Sequence, residues 1–478
     1  MKMRSEKDLI GQHEVPSHAY YGIQTQRAVE NYRISGFLAH SQLIRAMGMI
    51  KNGAARANRE LKLIDERRAK AISRAAEEVI AGKWNGEFVV DVYQAGAGVS
   101  FHMNANEVIA NRAIEILGGK RGDYTVCHPN DHVNCSQSTN DVFPTAMRLA
   151  SVFLFDDVLR AVAELAKSFS RKAHTFDRIL KSGRTHLMDA VPIRLGQEFA
   201  AYATSMNRCE GLLEYALELL KEVGLGGSAV GTGVNTHPKF QKLVVRNLSK
   251  ISGQALRPTD DLRYAMQSNL AMSVASSALR NLALELIRIS NDLRLLSSGP
   301  NTGLAEIELP ALQPGSSIMP GKVNPVMAEL TAMVGFQVIG ADIVTAMAVQ
   351  AGQLEVNVMM PAMGWNVLHS AEILKNTMRA LATKCVDGIS AKEDRCRYYA
   401  NATISIAAAL NPYIGYAAAA EIAKESVKSG RPVTEIALER NLLDDETLRK
   451  ILDPMRMTTP TAPIMQALRK KKRKTGKS

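Results

Sequence analysis

A chain of 478 residues has room for about three domains of ordinary size, and its 46% apolar content supports a large core. Aromatic residues make up only 5%, while Ala, Leu and Met are abundant, which favours helix over sheet. The net charge of +12 suggests a polyanion partner, but seven basic residues fall within 469–477 with no acid and no interleaved aromatic, so a specific nucleic-acid partner is not expected.

The first residues are polar and lack the apolar core of a signal peptide, and no apolar run approaches the roughly 18 residues that span a bilayer. Cys127, Cys135, Cys209, Cys385 and Cys396 are scattered, odd in number and form no CxxC pair. That usage predicts a cytoplasmic protein with no metal site, no membrane partner and no disulfide framework.

Taken in order, residues 1–139 read as a mixed, mostly helical domain. Pro16 and Tyr20-Tyr21-Gly22 break any early helix, and 42–78 reads as two helices. Gln94-Ala95-Gly96-Ala97-Gly98-Val99-Ser100 follows, where glycines alternate with small residues and allow close backbone approach. Next comes a polar knot, Asn134-Cys135-Ser136-Gln137-Ser138-Thr139-Asn140-Asp141, just before a helix. Six of its eight side chains could cap that helix, and capping needs one. The surplus makes the knot a candidate anion cradle.

Residues 140–394 read as a central helical bundle. Leu195, Phe199, Tyr202, Met206, Cys209, Leu213, Ala216 and Leu220 recur at alternating spacings of four and three, a heptad seam. The run 262–298 has no internal Gly or Pro and predicts one helix of roughly 55 Å. It is apolar on more than one face, so it needs neighbours beyond its own chain. Two loops interrupt this region: Ser182-Gly183-Arg184-Thr185-His186-Leu187-Met188-Asp189, and the glycine-rich 224–235. The second follows a helix and lacks Gly-Lys-Ser/Thr, which excludes a P-loop. From 395 onward, short segments punctuated by Pro and Gly predict a small helical domain ending near Met465, then a disordered basic tail.

The most informative stretch is Gly315-Ser316-Ser317-Ile318-Met319-Pro320-Gly321-Lys322-Val323-Asn324-Pro325. Glycines bracket it, and Asn324 and Pro325 sit where a cap and first turn would start the helix over 326–349. A mobile loop feeding a helix N-terminus, with Lys322 beside it, suits a carboxylate.

This run resembles the signature of the aspartase/fumarase superfamily. Asn134 to Asp141, Ser182 to Phe199, Ala19 to Arg27 and Leu410 to Tyr416 resemble further signatures, so the likeness runs from about residue 5 to about 460. It implies a mainly all-α, three-domain lyase (1–139, 140–394, 395–478) whose long helices form a multi-helix core in a homotetramer, with active sites shared between subunits. It implies a cofactor-free elimination that converts L-aspartate to fumarate and ammonia. Ser316 would be the base. Ser138, Thr139 and Ser317 would hold the reacting carboxylate, and Thr185, Lys322 and Asn324 the other. Asn140 and His186 would face the amino group, with Glu329 orienting His186. Val99 and His102 stand where that family usually carries Thr and Asn, and Met360 where aspartases commonly carry an acid. A hydroxyl lost from a carboxylate pocket is worth about 1–3 kcal/mol. Fumarate hydration, or a lyase reaction on another amino-dicarboxylate, stays open as the alternative. A binding protein on the same scaffold is the reading from a different class.

Overall fold

Helix formers dominate the chain and helices dominate its fold, so the all-α expectation holds; the computed structural model describes residues 2–464. The basic run 469–477 and the expected domain end at Met465 lie outside the described residues.

Two compact units make up the chain, each from three separate stretches. The first combines 1–162, 209–284 and 333–377; the second combines 163–208, 285–332 and 378 onward.

The first unit starts with an antiparallel hairpin, β1 (Met3–Lys7) and β2 (Gln12–Pro16), and a short helix, α1 (Ile23–Asn31). The expected pair over 42–78 is α2 (Ser41–Glu60) and α3 (Glu66–Ile80). His40 Nδ1 caps α2 by accepting from Gln42 N, and Asp65 caps α3 by accepting from Arg68 N at 2.9 Å. α2 buries Leu43, Ile44, Met47, Ile50, Ala54 and Ala57 and packs on α3. Gly48 permits this close approach, because a Cβ there would lie 3.1 Å from Val79 and Ile80. α4 (Val99–Ile116) packs on α3 in turn. Glycine at its N-cap leaves α1 without a cap of its own. The buried Glu107 carboxylate of α4 replaces it, accepting from the N–H groups of Gly22, Gln24 and Thr25 at 2.9–3.0 Å.

Five long helices follow: α5 (Thr139–Thr175), then after a strand pair α6 (Leu195–Leu220), and three more further on. The seam from Leu195 to Leu220 is buried at every position named above. Between α5 and α6, the expected loop around Thr185 is a hairpin, β3 (Leu180–Thr185) paired antiparallel with β4 (Met188–Arg194). Gly183 and Pro192 hid its alternation. Beyond α7 (Phe240–Ser252), the single helix expected over 262–298 is two: α8 (Leu262–Gln267) and α9 (Leu270–Leu296). Ser268 is extended at the break, and its Oγ accepts from Leu270 N at 3.3 Å. Serine and asparagine compete with the helix for backbone donors, and here the side chain wins. α9 is therefore roughly 40 Å long rather than 55 Å.

α10 (Val326–Gln350) and α11 (Met360–Lys384) complete the long set, followed by α12 (Glu393–Ala402) and shorter helices. In the second unit these end in their own core, in which Ile406, Leu410, Ile422, Val433, Ile436, Leu448 and Ile451 are buried together.

Candidate active site

The loop before α10 is closed at its base. Gly315 N donates to Lys322 O at 2.7 Å, and Asn324 Nδ2 donates to Gly315 O at 2.8 Å. The Asn324 side chain thus ties the loop rather than capping α10, which starts at Val326 as expected. Its first backbone acceptor is the carbonyl of Pro325, which takes Glu329 N–H. One N–H of the Asn324 amide remains for a ligand. A Cβ on Gly315 would sit 2.6 Å from Lys322 O and 2.9 Å from Asn324 N, both backbone atoms. Gly315→Ala is therefore expected to open the loop base. It should lower kcat/KM about 10²-fold, the scale of a 1 Å misplacement, with little change in Tm because the loop is exposed. Steady-state kinetics beside a thermal melt checks both halves.

Inside the closed loop, Ser316 Oγ accepts from two backbone N–H groups, Ile318 at 3.2 Å and Met319 at 3.0 Å. Two donors aimed at one hydroxyl oxygen stabilise its deprotonated form. Ser317 and Lys322 are exposed in the same loop. The hairpin turn at His186 and Leu187 has both residues at positive φ, 57° and 60°. Turns of this kind favour Asn-Gly; histidine is among the residues enriched at positive φ, so Leu187 fits this turn less well than His186 does. Thr185 and His186 are exposed. Among the described residues, no hydrogen bond joins His186 to Glu329 within the chain.

The polar knot before α5 is in the first unit, and nearly every side chain in it has a distinct partner. Ser138 is the cap, its Oγ accepting from Asn140 N at 3.3 Å. Asp141 is fully buried and ties two segments together, accepting from the N–H groups of Ser138, Gly226 and Ser228. Burial pushes its carboxyl up to about 6, against those three donors. Asn140 Nδ2 donates to Ala229 O at 2.7 Å, which leaves Oδ1 as an open acceptor. The glycine-rich stretch 224–235 thus positions this knot.

Thr139 Oγ1 lies 2.7 Å from Nδ1 of the fully buried His102, whose Nε2 lies 2.6 Å from Lys51 Nζ. Sequence reasoning missed Lys51. Its signal is a charge on the buried face of an amphipathic helix, between Ile50 and Ala54. Val99 is 41% exposed and lines a cavity of about 740 Å³ together with Met103, Glu107, Tyr124 and residues of α1.

Of the expected site residues, Ser138, Thr139 and Asn140 fall in the first unit, and Thr185, His186, Ser316, Ser317, Lys322, Asn324 and Glu329 in the second.

The family described as lyase matches residues 11–340, and that of the fumarase C C-terminus matches 406–459. The chain belongs to the lyase family. Within it, the chain is 47% identical over 457 residues to the aspartate ammonia-lyase of Bacillus subtilis, covering 96% of both. It is 50% identical over 460 residues to that of Pseudomonas fluorescens, again covering 96% of both. A class II fumarate hydratase from Halobacterium salinarum is 48% identical over 456 residues, covering 95% of this chain and 97% of the relative. Among solved lyase-family structures, a fumarate lyase:delta crystallin from Brucella melitensis superposes with a TM-score of 0.93 at 48% identity, covering 96% of this chain and 100% of that one. A class II fumarase from Schistosoma mansoni gives 0.94 at 36% identity, with the same coverage.

Proposed function

We propose that the protein is an aspartate ammonia-lyase, which reversibly eliminates ammonia from L-aspartate to give fumarate. The observation that carries this reading is the likeness, over nearly the whole chain, to aspartate ammonia-lyases from several bacteria. Two features of the site support it. Ser316 Oγ, with its two N–H donors, is prepared to act as a base. Asn140 Oδ1, an acceptor with its own amide nitrogen committed elsewhere, suits an ammonium group.

Ser316 Oγ takes a proton from Cβ. The electron pair moves onto the adjacent carboxylate as an enediolate, which Ser138, Thr139 and Ser317 stabilise through hydroxyl donors. Collapse of the enediolate forms the double bond and breaks the C–N bond. Thr185, Lys322 and Asn324 hold the second carboxylate, and Asn140 and His186 attend the departing amine. Glu329 orients His186, and the pair meets across subunits of a homotetramer. Exposed apolar residues on α10, namely Leu330, Met333, Phe336, Ile343, Val344 and Met347, fall near heptad spacing and supply a surface for that assembly.

Fumarate hydration is the second reading. The hydratase from Halobacterium salinarum is as similar to this chain as the aspartases are, so overall identity does not separate the two substrates. Incubation with L-aspartate or L-malate, read by the ultraviolet absorbance of fumarate, separates them. Absorbance growing with aspartate and not with malate is the expected result. The reverse establishes the hydratase, and none with either overturns both.

A further inference from the structure

Two amide oxygens and one imidazole nitrogen converge on Lys51. Nζ lies 3.0 Å from Asn134 Oδ1, 2.9 Å from Gln137 Oε1 and 2.6 Å from His102 Nε2. Both amides are pinned in orientation. Asn134 Nδ2 donates to Gln137 O, and Gln137 Nε2 donates to Val133 O and Cys135 O. Their oxygens therefore face Lys51, and two N–H groups of Lys51 are used on them. An ammonium has a third N–H, which points at His102 Nε2. Burial pulls Lys51 well below its ordinary pKa, while the Asp141 carboxylate opposes that pull. Burial first, and then Lys51, keeps the His102 imidazole neutral. A neutral ring that accepts at Nε2 must carry its proton on Nδ1, and Nδ1 faces Thr139 Oγ1. Thr139 accepts that proton's hydrogen bond, so its own hydrogen points away from the ring.

We propose that Lys51, His102 and Thr139 form a one-way donor relay that holds the Thr139 hydroxyl as a hydrogen-bond donor toward the substrate carboxylate. This deepens the reading of Thr139 as a substrate ligand and rests on it. Lys51 and His102 are positioning residues, because they act through Thr139. A neutral Lys51 would reverse every bond in the chain and turn Thr139 into an acceptor, which repels a carboxylate. The relay thus favours a carboxylate over its carboxamide, and hydrogen bonds in series reinforce one another.

The test compares inhibition by succinate and by its monoamide, succinamate, in three proteins. In the unmodified enzyme, succinate is expected to bind more tightly. His102→Leu cuts the relay and frees the Thr139 hydroxyl to rotate, so the preference should shrink about tenfold. His102→Gln keeps an acceptor oxygen and a donor nitrogen, and should restore most of it. A merely structural role would weaken both inhibitors alike and leave their ratio unmoved, and that result overturns the relay. So does a Gln variant no better than Leu. Nitrogen-15 NMR of the histidine-labelled unmodified enzyme decides the point even if a variant does not fold: protonation at Nδ1 is expected, and protonation at Nε2 overturns the relay. Failure of the unmodified enzyme to bind succinate would instead overturn the proposed function, while the nitrogen spectrum still judges the relay.

Discussion

Ser316→Ala is expected to lower kcat by about 10²–10⁴, the usual cost of losing a general base, with little change in KM. The two backbone N–H groups of Ile318 and Met319 converge on Ser316 Oγ and on no other side chain of the loop. Ser317 lies next to it, exposed and without such donors. Ser317→Ala should therefore lose one hydrogen bond to a charged group, about 1.5–3 kcal/mol, with KM affected as well. Succinate should still bind the Ser316→Ala protein, since only the base is removed. Stopped assays of both variants, with succinate titrations, separate the two serines. Near-normal turnover in Ser316→Ala would remove it as the base.

The second large effect is on assembly. Met333 is 66% exposed and Phe336 is 62% exposed on α10, so a charge at either position costs the single chain little. In a tetramer packed along that stripe, the same charge is buried without a partner, which costs several kcal/mol at each copy. Met333→Glu combined with Phe336→Glu should therefore give a folded species smaller than a tetramer. Turnover should vanish with assembly, because the proposed site draws its residues from different subunits. Light scattering, circular dichroism and the fumarate assay on the same sample check this. A variant that stays tetrameric, or a monomer that still turns over, contradicts the shared site.

Much of this was legible in the sequence, for identifiable reasons. The heptad seam from Leu195 to Leu220 predicted a buried helix face, because periodicity reports packing directly. The break at Ser268 and Asn269 was not legible. No Gly or Pro marks it, and a serine that caps a helix restart reads in sequence like a serine inside a continuous helix. Asn324 read as a cap because of its place before Pro325. It turned back to Gly315 because the loop carbonyl lies within reach of its amide. Surplus polarity in the 134–141 knot was visible, yet its cause was not. Asn134 and Gln137 serve Lys51, a residue more than 80 positions earlier in the chain. Such partnerships depend on tertiary contact and leave no local pattern. His102 stood out only through the resemblance, and its two hydrogen-bond partners became clear only in the folded chain.

On the ribosome, the interleaving of the two units sets the order of events. The first unit needs residue 377 before its last stretch exists, and the second opens at 163 yet draws on chain beyond 378. At about 5–20 residues per second, the N-terminal 162 residues wait roughly 10–40 s for the helices that complete their core. Until α7 has been made, the face of α2 that packs on it has no partner. Vectorial synthesis therefore gives this chain no early resting point, because neither unit can close before residues beyond 333 have been made.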